Sequence, residues 1–128
     1  METAAVTFEA RAVQRYIRRA PRKLRLVADA VRRMNVEEAL NTLKFMNKAG
    51  SVDVSKVIRS AVGNLRDKFE DETFDENELV IKTLMVDEGP TLKRIQPAPQ
   101  GRAHPIRKRM SHITVVIAKK EESENDEE

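Results

Sequence analysis

Cysteine is absent from this 128-residue chain, which excludes a disulfide framework, a thiolate nucleophile and a Cys-ligated zinc site. Tryptophan is absent too, and aromatics make up 4% of residues, which argues against a sheet that stacks single-stranded bases on exposed rings. Histidine is confined to His104 and His112, eight apart, with no acid between them to orient a ring or complete a metal site. No Gly-rich phosphate loop, paired helical His or nucleophile elbow occurs. The acidic run DETFDE lacks the spacing and the glycine of a calcium loop. The residues therefore predict neither a catalytic site nor a bound metal, and no cofactor. No apolar run approaches the ~18–20 residues of a membrane span, and METAAVTFEA lacks a basic region followed by an apolar core. The expectation is a soluble protein with no membrane partner, kept in the compartment where it is made.

What the chain does have is segregated charge. Hydrophobic content of 40% supports one folded body, while 35% charged residues stands well above the usual ~25%. The net charge of +3 understates the basic character, because the final EESENDEE holds six acids; without it, 24 basic residues face 15 acidic ones. Residues 121–128 are expected to form a solvated, disordered acidic tail, and residues 1–120 a single domain. From Arg11 to Arg33 there are nine basic residues and one acid, Asp29, whereas Arg66 to Glu88 holds nine acids and three basic residues. One side of the molecule should seek an anion and another should stay in water.

In chain order, Phe8 to Ile17 reads as a strand, with a rough period of two. Pro21 suits the first position of a helix, and Leu24, Val27, Ala28 and Val31 make its apolar stripe. Arg22, Lys23, Arg25, Arg32 and Arg33 are then left on exposed surface. Cations near a helix N-terminus oppose its dipole, and a bound phosphate removes the conflict. Asn35 predicts the cap of a second helix, with Glu38 in capping-box position and Val36, Ala39, Leu40 and Leu43 as its stripe. Asn47 to Ser51 predicts the turn that follows. A third helix carries Val54, Val57, Ile58, Ala61, Val62, Leu65 and Phe69 on one face, the strongest periodicity in the chain. Two β-rich runs follow, Glu78–Val86 and Ser111–Ala118. The predicted fold class is α+β: three helices packed on a small three-stranded antiparallel sheet, with a long protruding β-hairpin arm spanning about residues 86–112.

The connection between the last two strands, Gly89 to Met110, is too long for a tight turn and holds four of the five prolines. Its charges are Lys93, Arg94, Arg102, Arg107, Lys108 and Arg109, with no acid from Gly89 to Lys120. A segment with no core of its own and a polycation's charge points to nucleic acid, recognised through shape and backbone. Lys44, Lys48, Lys56 and Arg59 read instead as isolated surface cations. A DNA-binding helix-turn-helix within Asn35–Phe69 is the alternative, weakened by Asp53 and Asp67 on its would-be recognition helix. A metal-dependent nuclease lacks a carboxylate cluster near the basic surface.

The stretch VDEGPTLKRIQPAPQGRAHPIRKRMSHITVVI resembles the hairpin of the bacterial L twenty-two family of large-ribosomal-subunit proteins, and APRKLRLVADAVRRMNVEEALNTL resembles that family's first two helices. The resemblance runs from about Arg11 to Ala118. It implies a structural, non-enzymatic protein of the cytoplasmic ribosome that binds large-subunit ribosomal RNA, assembles early and neighbours other large-subunit proteins, with no homo-oligomer. It also implies a body near the tunnel exit and a hairpin lining the nascent-peptide tunnel near the macrolide site. The expected RNA-binding residues are Arg11, Arg15, Arg18, Arg19, Arg22, Lys23, Arg25, Lys93, Arg94, Arg102, His104, Arg107, Lys108, Arg109 and His112. The tip facing the nascent peptide comprises Leu92, Lys93, Arg94, Ile95, Gln96, Pro97, Ala98, Pro99, Gln100, Gly101 and Arg102. At ~3.3 Å per residue over half the segment, the arm projects roughly 35 Å. Two departures stand out: Ala20 replaces the Ser usual before the Pro-Arg-Lys triplet, and the tip QPAPQGRAHP carries neutral glutamines and extra prolines.

Overall fold

Alternation of small and charged residues makes Glu9–Ile17 a strand, β1, in which Ala10 and Ala12 face the core and Arg11 and Val13 face outward. The computed structural model describes residues 8–97, 101 and 103–119. The acidic tail and the tip residues Ala98, Pro99, Gln100 and Arg102 lie outside the described residues. Three helices follow: α1 (Pro21–Val31), α2 (Val36–Phe45) and α3 (Gly50–Lys68). A 3₁₀ turn at Glu76–Glu78 leads into β2 (Leu79–Pro97), which pairs with β3 (Ala103–Lys119). The antiparallel sheet has the order β1-β3-β2. The architecture is the expected α+β one, with the helices against one sheet face.

The helix starts match their chemistry. Pro21 opens α1 behind Ala20, whose side chain makes no cap. Asn35 accepts the Glu38 N–H at 2.8 Å, and Glu37 and Glu38 complement the dipole in the first turn of α2. The expected stripes of α1 and of α3 as far as Leu65 are buried, Leu24, Val31, Ile58 and Leu65 completely, while Phe69, placed just past the end of α3, is half-buried. They pack on Leu79, Ile81, Leu84 and Val86 of β2 and on Ile113, Val115 and Ile117 of β3. The inward positions of β2 change from odd to even numbers because the register slips between Ile81 and Thr83. At one end of the core Phe8, Phe69 and Phe74 meet edge to face, with centroids 4.8–6.4 Å apart.

At the body, both edges of the sheet are fastened by side chains or backbone from the helical layer. On the β2 side, Ile81 N–H donates to Met34 O at 3.2 Å, Arg32 donates to Leu84 O at 2.9 and 3.3 Å, and Arg25 donates to Val86 O at 3.1 and 3.2 Å. On the β1 side, Asn64 Nδ2 donates to Arg11 O at 2.8 Å and Lys68 Nζ to Glu9 O at 3.1 Å. Unpaired edge carbonyls, a template for aggregation elsewhere, are here the points where α1 and α3 fasten to the sheet.

One expectation is corrected. Asn47–Ser51 is not all turn, because Gly50 and Ser51 are the first residues of α3 and are buried. As expected, the segment after Gly89 is a β-hairpin arm, a continuation of both strands paired out to Pro97↔Ala103. Its prolines fit because β1 stops at Ile17↔Ser111, so beyond that point each strand of the arm has an open edge that needs no donor. Pro90 sits in a second register shift, between Glu88 and Thr91. Gly101, at φ 77°, supplies the left-handed residue of the turn.

Candidate nucleic-acid interface

The start of α1 is a strongly electropositive place. Its first turn holds no acid, and Arg22 and Lys23 are exposed there. The chain enters through Arg18 and Arg19, held by Ser111, whose buried hydroxyl donates to Arg19 O at 2.6 Å. The α2–α3 connection comes alongside because Gly50 presses on α1; a Cβ there would stand 2.9 Å from Leu24 Cδ2. β3 leaves the sheet on the same side, bringing Lys108 and Arg109 at the base of the arm.

The result is a cleft of about 860 Å³ lined by Arg18, Arg19, Lys23, Lys48, Lys108 and Arg109. Among the described residues, six cations from three separate segments meet here and no acid lines the cleft. Arg19 alone of the six forms an ion pair among the described residues, with Asp53 in the first turn of α3. Such an arrangement suits a phosphate backbone: fixed positive charge, guanidinium forks and a helix N-terminus face one concavity.

The structure sorts the other expected residues. Arg22 is exposed but does not line the cleft. Arg11 and Arg15 are exposed on β1. Arg25 has two guanidinium N–H groups committed to Val86 O, so part of its fork fastens α1 to β2. It shares a shallower groove with Asp29 and Asp87, whose charge opposes phosphate. Lys93, Arg94, His104 and Arg107 are placed by backbone register along the arm, Lys93 opposite Arg107 and Gln96 opposite His104.

His112 has a structural task. Its Nδ1 accepts the backbone N–H of Tyr16 at 3.0 Å, which assigns the neutral ring's proton to Nε2. The Tyr16 ring meets it edge to face at 5.1 Å, and a Cβ on Gly89 would stand 3.1 Å from Cε1. Tyr16 itself holds a left-handed backbone, φ 63°, in the irregular stretch between Gln14 and Ile17, and its side chain is 60% exposed. An aromatic in that conformation is strained and is held there by its surroundings.

Sequence reasoning missed Lys48 and Tyr16. Lys48 stands alone in sequence, and only the close packing of Gly50 brings it to α1. A positive φ at Tyr16 leaves no trace in residue type.

Among the described residues, no group of three metal-ligating side chains occurs, and no helix is long and apolar enough to cross a membrane. Three bacterial relatives share most of the chain. The large ribosomal subunit protein uL22 of Desulfitobacterium hafniense strain Y51 is 49% identical over 114 residues, covering 89% of this chain and 97% of its own. Those of Desulfotalea psychrophila and Maridesulfovibrio salexigens are each 52% identical over 109 residues, covering 85% of this chain and 96% of theirs. Fold and similarity together define a structural, non-enzymatic protein of the large ribosomal subunit. Residues 12–118 match the family described as Ribosomal protein L22p/L17e, and the chain belongs to that family.

Proposed function

We propose that this protein binds large-subunit ribosomal RNA through the α1 cleft and the arm, aids early assembly, and lines the polypeptide exit tunnel with its hairpin tip. The observation that carries the reading is the six-cation cleft at the root of a two-stranded arm. A two-stranded ribbon has no hydrophobic face large enough to hold it independently, so packing against a partner is what gives it a defined position. RNA is the partner its charge selects. From Gly89, nine residues of β2 reach Pro97, a span of roughly 30 Å at ~3.3 Å per residue, near the length expected from the sequence.

On this reading, residues 1–120 act as one RNA-binding domain in the cytoplasmic ribosome, beside neighbouring large-subunit proteins. Arg18, Lys23, Lys48, Lys108 and Arg109 hold phosphates at the body. Lys93, Arg94, Arg102, His104 and Arg107 hold the arm, and Leu92 to Arg102 face the nascent peptide. The six acids of the tail stay away from the RNA, because phosphate repels them.

A photo-crosslinking amino acid at Gln96 tests the tunnel assignment in ribosomes stalled during synthesis of a labelled peptide. Crosslinks to both large-subunit RNA and the labelled chain are expected. Crosslinks to neither would place the tip elsewhere.

A further inference from the structure

The cleft does not end at the arm. Lys48 and Ala49 also line a second groove, of about 600 Å³, running between the end of α2 and the exposed face of α3. Its cations are Lys44, Lys48, Lys56 and Arg59, and among the described residues no acid lines it. Beside it stands Phe45, the last residue of α2, 81% exposed, with Lys44 Nζ 5.7 Å from its ring centroid. α2 stops there because Met46 takes an extended conformation, ψ 130°, so Phe45 is the helix's last residue, between Lys44 and Met46 of the groove lining.

A single exposed apolar residue is ordinary on a protein surface. An exposed aromatic beside four cations is a combination that binds unpaired nucleotides, the ring taking a base and the cations the flanking phosphates. A protein partner would have to be acidic to complement this face. Continuity with the α1 cleft instead points to one nucleic-acid strand following both grooves.

We propose that the α2–α3 face is a second RNA contact, in which Phe45 stacks on an unpaired base and Lys44, Lys56 and Arg59 hold the adjoining phosphates. The inference rests on the RNA binding proposed above and extends it to side chains that the charge pattern of the sequence left as isolated.

Filter binding of the full chain to protein-free large-subunit ribosomal RNA, across a series of salt concentrations, tests it. Phe45→Ala is expected to weaken binding roughly 5- to 150-fold without altering the salt slope, the usual range for one stacked base. Phe45→Trp should keep full affinity. Lys56→Ala with Arg59→Ala should lower the log–log slope by about 1.4, at ~0.7 per phosphate of a single strand. Because these side chains are exposed, melting temperatures should stay at the parent value, and Phe45→Leu replaces Phe45→Ala if that variant melts early. Parental affinity and slope in all α2–α3 variants, alongside a reduced slope in Lys108→Ala with Arg109→Ala, would overturn this proposal and leave the α1 cleft standing. An unchanged slope in every variant would overturn both. Loss of another large-subunit protein from reconstituted particles on Phe45→Ala, with RNA affinity intact, would overturn it in favour of a protein partner.

Discussion

Replacing Lys23, Lys108 and Arg109 together by alanine removes three of the five cleft cations that lack an acidic partner among the described residues; Arg19, the sixth, faces Asp53. Each phosphate neutralised by a cation contributes ~0.7–0.9 to the slope of log affinity against log salt, so the triple variant should flatten that slope by about two to three units. Raising salt from about 50 to about 200 mM would then cost the variant roughly 15- to 40-fold less affinity than the parent. All three side chains are exposed, so folding stability should move by no more than ~0.5 kcal/mol. Filter binding to protein-free large-subunit RNA measures the slope, and a urea melt checks the fold. Arg32→Ala is the control, since its guanidinium is engaged by Leu84 O and Asp29 and should leave the slope unchanged. A parental slope in the triple variant, or an equal loss in Arg32→Ala, would refute the assignment of the cleft to phosphate.

Three further outcomes follow from particular contacts. Arg25→Ala and Arg32→Ala each strip two N–H donors from a β2 carbonyl and should cost about 1–2 kcal/mol in urea denaturation; lysine should restore only part, because it lacks the planar fork. Arg33 holds φ 72° just beyond α1, so Arg33→Gly should stabilise by about 0.5–1 kcal/mol and raise the melting temperature by a few degrees, whereas a fall would discount strain there. At Tyr16, φ 63°, both Gly and Ala lose the ring's packing on His112, but Tyr16→Gly should be the more stable by about 1 kcal/mol; equal melts would remove the strain argument.

The body was largely legible because its signals are local. The stripes of α1 and α3, the Asn35 cap and the alternation in β1 depend on spacing alone, and burial follows them. The arm was legible as a hairpin from its β-rich flanks, but how its prolines fit was not, since what admits them is the early end of β1, a property of the whole sheet. Gly50 reads as a turn residue, yet its missing side chain serves the close approach of α3 to Leu24. The same limit applied to the site. Charge density singled out Arg18, Lys23, Lys108 and Arg109, but it could not separate them from Arg25, whose fork is turned to an edge carbonyl, or add Lys48, which tertiary packing delivers.

Sucrose-gradient sedimentation of a native lysate, probed for this chain before and after a high-salt wash, tests the central claim most directly. A protein whose arm is embedded in large-subunit RNA should co-migrate with the large subunit and stay there through the wash. Migration at the top of the gradient, even before the wash, would contradict the account.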